Sequence, residues 1–382
     1  MVRDYVLAKI GKEECKKLHK RASDFYIHKH DDLLKRISED MRAEPLKGLC
    51  AVMEMLRQRG MREQADALVN SLLEIHHHLF ESGEYEQAGD IVIAIYDYLD
   101  MQGLRELAKE LLKKSVDSLE GYNKYLAKAN LGILFNGEGK WQEALNTVQE
   151  CLEFFRSIDA KSEMATIISE HALIYRQQGE YERALSLERQ ESLALREEIG
   201  DKEGIVISHF RITQLLDLME KYEEALKQGE KGLGMARELG NQRFEAKYIN
   251  MLGLILNHLN RSDDAFERFQ ECLNIYEQIG DKAGHVDSLS EIGKLLLAAG
   301  QFKVALDCFQ RALNAYRELD DPVKVAILLV AIGVVFGEQE HYEEALIKFQ
   351  EALQLFQQYG SPQDIAHAER NIARVKNLLG QR

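Results

Sequence analysis

Three adjacent histidines, His76-His77-His78, are the first residues here whose type could do chemistry, since imidazole is a common metal ligand. Their spacing argues against it. Successive helical residues point about 100° apart, so three neighbours cannot converge on one ion, and a partly solvated helix face is expected. His28 and His30 stand beside Asp31 and Asp32, but no Cys or second His pair follows at a metal-motif spacing, so a solvated loop or helix start is expected. The carboxylate pairs Glu223-Glu224 and Glu343-Glu344 fall in the first turn of a helix, where acidic side chains offset the helix dipole; that role suffices without acid–base work. No Ser-His-Asp or Cys-His constellation, GxSxG elbow or GxxxxGK[ST] phosphate loop can be picked out. The sequence therefore predicts no catalytic residue, no metal and no cofactor.

Cysteine usage and charge narrow the partners. Cys15, Cys50, Cys151, Cys272 and Cys308 show no paired spacing and no CxxC, which reads as a reduced, intracellular and hence cytoplasmic protein. Forty-nine Lys and Arg against 64 Asp and Glu leave a net charge of −15. That balance repels phosphate backbones and anionic lipid, so neither nucleic acid nor membrane is expected as a partner, and a cationic or apolar one is favoured. The longest apolar run, Val325 to Phe336, is too short to cross a bilayer and reads as buried core.

With chemistry excluded, the elements themselves carry the information. Between Gly132 and Ala373 one pattern is written six times and begun a seventh. Its turn reads Gly139-Lys-Trp141-Gln-Glu-Ala144, Gly179-Glu-Tyr181-Glu-Arg-Ala184, Glu220-Lys-Tyr222-Glu-Glu-Ala225, Asn260-Arg-Ser262-Asp-Asp-Ala265, Gly300-Gln-Phe302-Lys-Val-Ala305 and Glu340-His-Tyr342-Glu-Glu-Ala345. The alanines step by 40 residues, except for a single step of 41 from Ala184 to Ala225. Twelve residues before each lies a second column, Gly132, Ala172, Thr213, Gly253, Gly293 and Gly333. A fixed period in this range marks stacked repeats that bury an apolar face only against their neighbours.

Each unit reads as two helices. Phe244, Tyr248, Leu252, Ile255 and Leu259 share one stripe of a first helix, and Phe266, Phe269, Leu273 and Tyr276 one stripe of a second. Small residues let the backbones approach, and the turn aromatic at 141, 181, 222, 302 and 342 is expected to fill the space beside them. Gly200-Asp201, Gly240-Asn241, Gly280-Asp281 and Gly360-Ser361 supply a left-handed glycine followed by a capping side chain. Pro322 and Pro362 suit the first helical position, and Pro45 precedes a helical run.

These marks together resemble the tetratricopeptide repeat in its longer form of about forty residues. They include a further small column in the second helix: Cys151, Gly232, Cys272, Ala312 and Ala352, joined by Ser192 if the 41-residue unit carries its extra residue between Ala184 and Ser192. Thr213 for Gly or Ala and Ser262 for the turn aromatic depart from the pattern. The resemblance implies an all-α, right-handed superhelical solenoid of helical hairpins. The expected layout is an N-terminal helical segment over 1–44, degenerate hairpins over 45–118, six regular units over 119–360 and a capping helix over 361–382. In that last helix Ile365, Ala368, Ile372, Val375 and Leu379 form the apolar stripe, with Ala373 on the small column.

Residues 1–44 are slightly basic, with eleven Lys or Arg against nine Asp or Glu. Val2-Arg-Asp-Tyr-Val-Leu-Ala-Lys-Ile10 and Cys15-Lys-Lys-Leu-His-Lys-Arg-Ala-Ser-Asp-Phe-Tyr26 resemble the junction between winged helix and repeats in STAND signalling NTPases of the NB-ARC and MalT type. The same residues read equally as a capping pair of helices. If the junction holds, the chain is the ligand-sensing C-terminal part of a signalling ATPase, with an NTPase core as partner in cis or trans.

In tetratricopeptide arrays the first helix of each hairpin lines a concave groove. The resemblance places there Ser169, Leu173 and Arg176; Phe210, Gln214 and Asp217; Asn250, Leu254 and Asn257; and Ser290, Lys294 and Leu297, bordered by Glu170, Arg211 and Glu291. Amides beside apolar residues suit an extended or helical peptide. The family's two-carboxylate clamp needs Lys and Asn at set positions, but Lys294 and Asn250 lie in different units, so chaperone tails are not favoured. The expected function is non-catalytic protein or peptide binding, as a sensor or alternatively as a free-standing scaffold. A Rap-like, peptide-controlled regulator would need a distinct N-terminal bundle that the sequence does not match.

Overall fold

The computed structural model describes Lys20 and residues 62–101, 104–319, 321–360 and 362–380. The expected helical run over 46–59, the STAND-like stretch apart from Lys20, and His28, His30, Cys15 and Cys50 lie outside the described residues. Among the described residues all regular structure is helical: α1 Arg62–Ser82, α2 Tyr85–Met101, α3 Arg105–Ser118, α4 Gly121–Gly137, α5 Trp141–Ser157, α6 Lys161–Gln177, α7, α8 Lys202–Leu218, α9 Tyr222–Glu238, α10 Gln242–His258, α11 Ser262–Ile279, α12 Lys282–Ala298, α13 Phe302–Glu318, α14 Pro322–Glu338, α15 Tyr342–Tyr359 and α16 Pro362–Gly380. Helix α7 is composite, with Tyr181–Ser186 and Leu193–Ile199 joined by a π-helical turn at Leu187–Ser192. The chain divides after Leu215 into two compact units, each a run of helical hairpins.

The repeat alanines, Ala144, Ala184, Ala225, Ala265, Ala305 and Ala345, are all fully buried. In the second unit the glycine column meets one aromatic column. A Cβ built on Gly253, Gly293 or Gly333 would lie 2.7 Å from the ring of Phe269, Phe309 or Phe349 respectively, so the three glycines occupy equivalent places. In the first unit Gly132 faces Thr147 instead, at 3.0 Å. Gly232 of the second helices is closely covered: its Cβ would fall 2.3 Å from Tyr248, whose side chain is wholly buried.

The turn between the two helices of a hairpin needs a left-handed residue whatever its type. Gly139, Gly179 and Gly300 take φ of 72°, 79° and 72°, and Glu220, Asn260 and Glu340 take 59°, 58° and 62° at the equivalent place. Between hairpins Gly200, Gly240 and Gly280 are left-handed, and the residue after each caps the next helix. Asp201, Asn241 and Asp281 accept the N–H three residues on, at 2.9, 3.1 and 2.9 Å.

Four expectations change. Gly360 is extended, with φ −91° and ψ 174°, not left-handed. At Gly240 and Gly280 the N–H two residues on closes back onto the glycine carbonyl at 3.1 Å; at Gly360 that residue is Pro362, which has no N–H. Trp141 is 39% exposed and does not fill the hairpin, whereas Tyr181, Tyr222, Phe302 and Tyr342 are half-buried. Ala373 is exposed although it continues the Gly333 column, because no following helix among the described residues packs on it. His76 is buried in α1, not partly solvated, since it faces the same core as Leu72, Ile75 and Leu79.

Two measurements check this packing. Gly293→Ala should cost about 1–3 kcal/mol by pushing on the Phe309 ring, while Gly234→Ala, in open space within α9, should gain up to ~1 kcal/mol in urea denaturation. Burial, with smaller help from Lys114 and His77, pushes the His76 imidazole from 6.5 down to about 4. The unfolded chain then binds a proton that the fold refuses. Stability should therefore fall as pH drops from 6.5 towards 4, by up to ~3 kcal/mol. His76→Gln should flatten that slope in urea midpoints.

Candidate functional site

The expected groove residues fall in two groups, one in each unit. In the first, α6 carries Ser169, Glu170, Leu173 and Arg176, and α8 carries Phe210, Arg211 and Gln214. The two helices are tied by side chains from these positions. Arg176 Nη1 donates to Gln214 Oε1 at 3.4 Å. Arg211 donates to the Ser169 carbonyl and to Glu170 Oε1, each at 3.0 Å. Leu173, Arg176, Phe210, Arg211 and Gln214 are half-buried, so each keeps a face towards solvent.

Ser169 is different. It is 1% exposed, and its Oγ donates to Glu188 Oε1 at 3.0 Å and pairs with Ser192 Oγ at 2.9 Å. It belongs to a buried polar cluster that sequence reasoning missed: Glu188, Ser192, Arg196 and Ser208, centred on the π turn of α7. Arg196 Nη1 donates to the Gly204 carbonyl at 2.7 Å and to Ser208 Oγ at 2.9 Å. Gly204 must lack a Cβ here, because one would lie 2.8 Å from Arg196 Cδ and closer still to Asp201.

Burial sets the electrostatics of the cluster. It pushes the Glu188 carboxyl up, against the pull of Arg211 and the neighbouring serine hydroxyls, and pushes the Arg196 guanidinium down. Arg176 is also held down, by burial first and by repulsion from Arg211 second. Among the described residues no carboxylate lies within ion-pair distance of Arg176, whereas Arg211 has Glu170. The wholly buried serines cannot meet a substrate, so the cluster has no accessible nucleophile.

A signal for the cluster does exist in the sequence. The extra residue of the 41-residue step is absorbed as the π turn, which puts Ser192 on the small column with no exposure. Glu188 then follows Ala172 at the spacing by which Phe269, Phe309 and Phe349 follow their glycines.

In the second unit Asp217 Oδ1 meets His258 Nδ1 at 2.8 Å, and Asn250 Oδ1 accepts from Ser288 Oγ at 3.4 Å. Lys294 pairs with Glu291 at 2.7 Å on the surface. Asn257 is exposed, Leu254 and Leu297 are half-buried, and Ser290 is buried. A separate cleft of about 440 Å³ between α5 and α6 shares no residue with either group. Among the described residues no group of three or more His, Cys, Asp or Glu side chains could hold a metal ion, and no helix is long and apolar enough to cross a membrane.

Comparison with known proteins agrees with this geometry. The tetratricopeptide repeat family model matches residues 163–238 and 244–318. No curated protein matches by sequence. Many solved structures share the fold. One is a STAND protein, a signal transduction ATPase with a tetratricopeptide repeat sensor, from Pyrococcus horikoshii, at 17% identity and TM-score 0.60. It aligns with 99% of this chain, which spans only 62% of its length. A Rap protein solved with competence and sporulation factor aligns over 88% of this chain and 99% of its own, at 15% identity and TM-score 0.55. Aspartyl phosphate phosphatase F from Bacillus subtilis aligns over 89% and 95%, at 13% identity and TM-score 0.53.

The contrast between the two groove arginines can be measured. Arg211→Met removes contacts to Glu170 and the Ser169 carbonyl and should cost about 1–3 kcal/mol. Arg176→Met gives up only one long bond to a neutral amide and should change stability by less than ~0.5 kcal/mol in the same urea titration.

Proposed function

Starting from a chain that carries tetratricopeptide repeats, we propose that it binds a protein or peptide through the first helices of its hairpins. The observation that carries this reading is the row of half-buried groove positions with spare hydrogen-bonding capacity. Arg176 and Gln214 are joined by one long bond, and Asn257 is exposed beside the half-buried Leu254. Such a mixture suits a peptide backbone flanked by apolar side chains. Phe210 and Leu173 supply the apolar contacts in the first unit, Leu254 and Leu297 in the second.

The partner's role is read more finely as follows. The chain is the ligand-sensing part of a signalling ATPase whose core acts in cis or trans. This is supported by the resemblance of residues 2–26 to a STAND junction and by a fold likeness to a STAND protein that spans nearly the whole chain. The scaffold alternative keeps the same groove without the ATPase. A Rap-like regulator gains support from one observation, that the Rap likeness runs over almost all of both chains. An adjoining reading frame with a phosphate-binding loop, whose product co-elutes with this chain, would favour the sensor over the other two.

The groove is tested by selecting binders from a random-peptide phage library on the full chain. Selected peptides should lose roughly tenfold or more in affinity on Gln214→Ala, or on Asn250→Ala with Asn257→Ala, and keep it on the surface control Gln149→Ala. Loss on Gln149→Ala alone would move the site to the α5–α6 cleft.

A further inference from the structure

We propose that α7 is a built-in opening joint of the first unit, at which Tyr181–Ile199 separates from α6 and α8 well before the chain unfolds. Three observations at one place carry it. The first is the π turn at Leu187–Ser192, which interrupts the α-helical hydrogen-bond register in the middle of the helix. No other described helix is broken in this way.

The second is what fills the helix contact. At the equivalent position α11, α13 and α15 hold Phe269, Phe309 and Phe349, each buried against a glycine backbone, and burial of such a ring favours the closed contact. In α7 it holds Glu188, which is fully buried. Burying a charge opposes folding unless its partners are close and complete.

The third is that they are not complete. Glu188 Oε2 and Arg196 Nε have no hydrogen-bond partner among the described residues, although both atoms are shut off from solvent. Ala184 keeps a small apolar contact with Ala172 and Leu215, but the neighbours of Glu188 and Arg196 are polar: Ser169 from α6, Ser192 from α7 itself, and Ser208 and Arg211 from α8. Water can replace each of these polar contacts when the helices part, and it solvates Glu188 and Arg196 at the same time. The apolar contacts of the second unit have no such substitute. Opening of α7 is therefore low in free energy relative to opening of α11.

Arg211 and Ser169 connect the joint to the groove side of α6 and α8, so parting α7 frees the spacing of Arg176 and Gln214. That consequence rests on the groove reading above; the opening itself does not. Backbone hydrogen exchange of the full chain tests the opening alone, with no ligand present.

Amides of 187–199 should exchange roughly tenfold or more faster than those of the matching stretch 268–279 in α11. Equal or slower exchange in α7 would overturn the joint, whatever the phage selection returns. The double variant Glu188→Met with Arg196→Met removes both charges and should slow exchange in 187–199 at least roughly fivefold while leaving 268–279 unchanged. Exchange that stays as fast, or speeds up, would overturn the assignment of the opening to the buried charges.

Discussion

Everything in this chain depends on how close two helix backbones can come. Where a glycine of one helix accepts the ring of a phenylalanine from the next, as at Gly253 and Phe269, the contact leaves no room for even one extra carbon. Neither helix could hide its apolar stripe alone, and the fit recurs in three successive hairpins because the first helix of each supplies the glycine and the second the phenylalanine. Cys151 and Cys272 take part as small buried side chains; burial raises both thiols, to about 12, far from the reactive range.

The first unit lacks that glycine–phenylalanine contact: Gly132 meets Thr147, and the departure at α7 organises the unit's chemistry. One inserted residue turns part of α7 into a π turn, and the ring position passes to Glu188. The interior there is held by hydroxyls, a carboxylate and guanidinium groups in place of aromatic packing. Arg211 reaches from this cluster to the half-exposed surface, so α6 and α8 of the first unit are tied there by polar contacts. The second unit keeps the aromatic packing and sets its amides, Asn250 and Asn257, on an apolar foundation of Leu252, Ile255 and Leu256.

Structures at 13 to 17% identity share the fold of this chain, among them a sensor ATPase and an aspartyl phosphate phosphatase. Stacking of hairpins constrains the helix contacts far more than the exposed side chains, so a shared fold leaves open what each protein binds. A net charge of −15 makes the few groove cations, Arg176, Arg211 and Lys294, stand out from their surroundings. Two of these have acidic partners and Arg176 has none within ion-pair distance among the described residues.

Much of the fold was legible because its rules are local. Alanine and glycine columns at a period of 40, left-handed residues at hairpin turns, and Asp or Asn caps act within a few residues of where they are written. Helix borders from α4 to α16 follow from them, and the extra residue before Ser192 was already countable. Side-chain fate was less legible. Ser169 turns inward to Glu188 although its position belongs to the groove row, Ala373 is bare although its column is buried elsewhere, and Trp141 stays outside while Tyr181 tucks in. The amino-acid order by itself determined which helices form and how they pair. Only the tertiary structure decided which polar groups meet inside, because that depends on the rotation of each helix and on whether another helix lies against it.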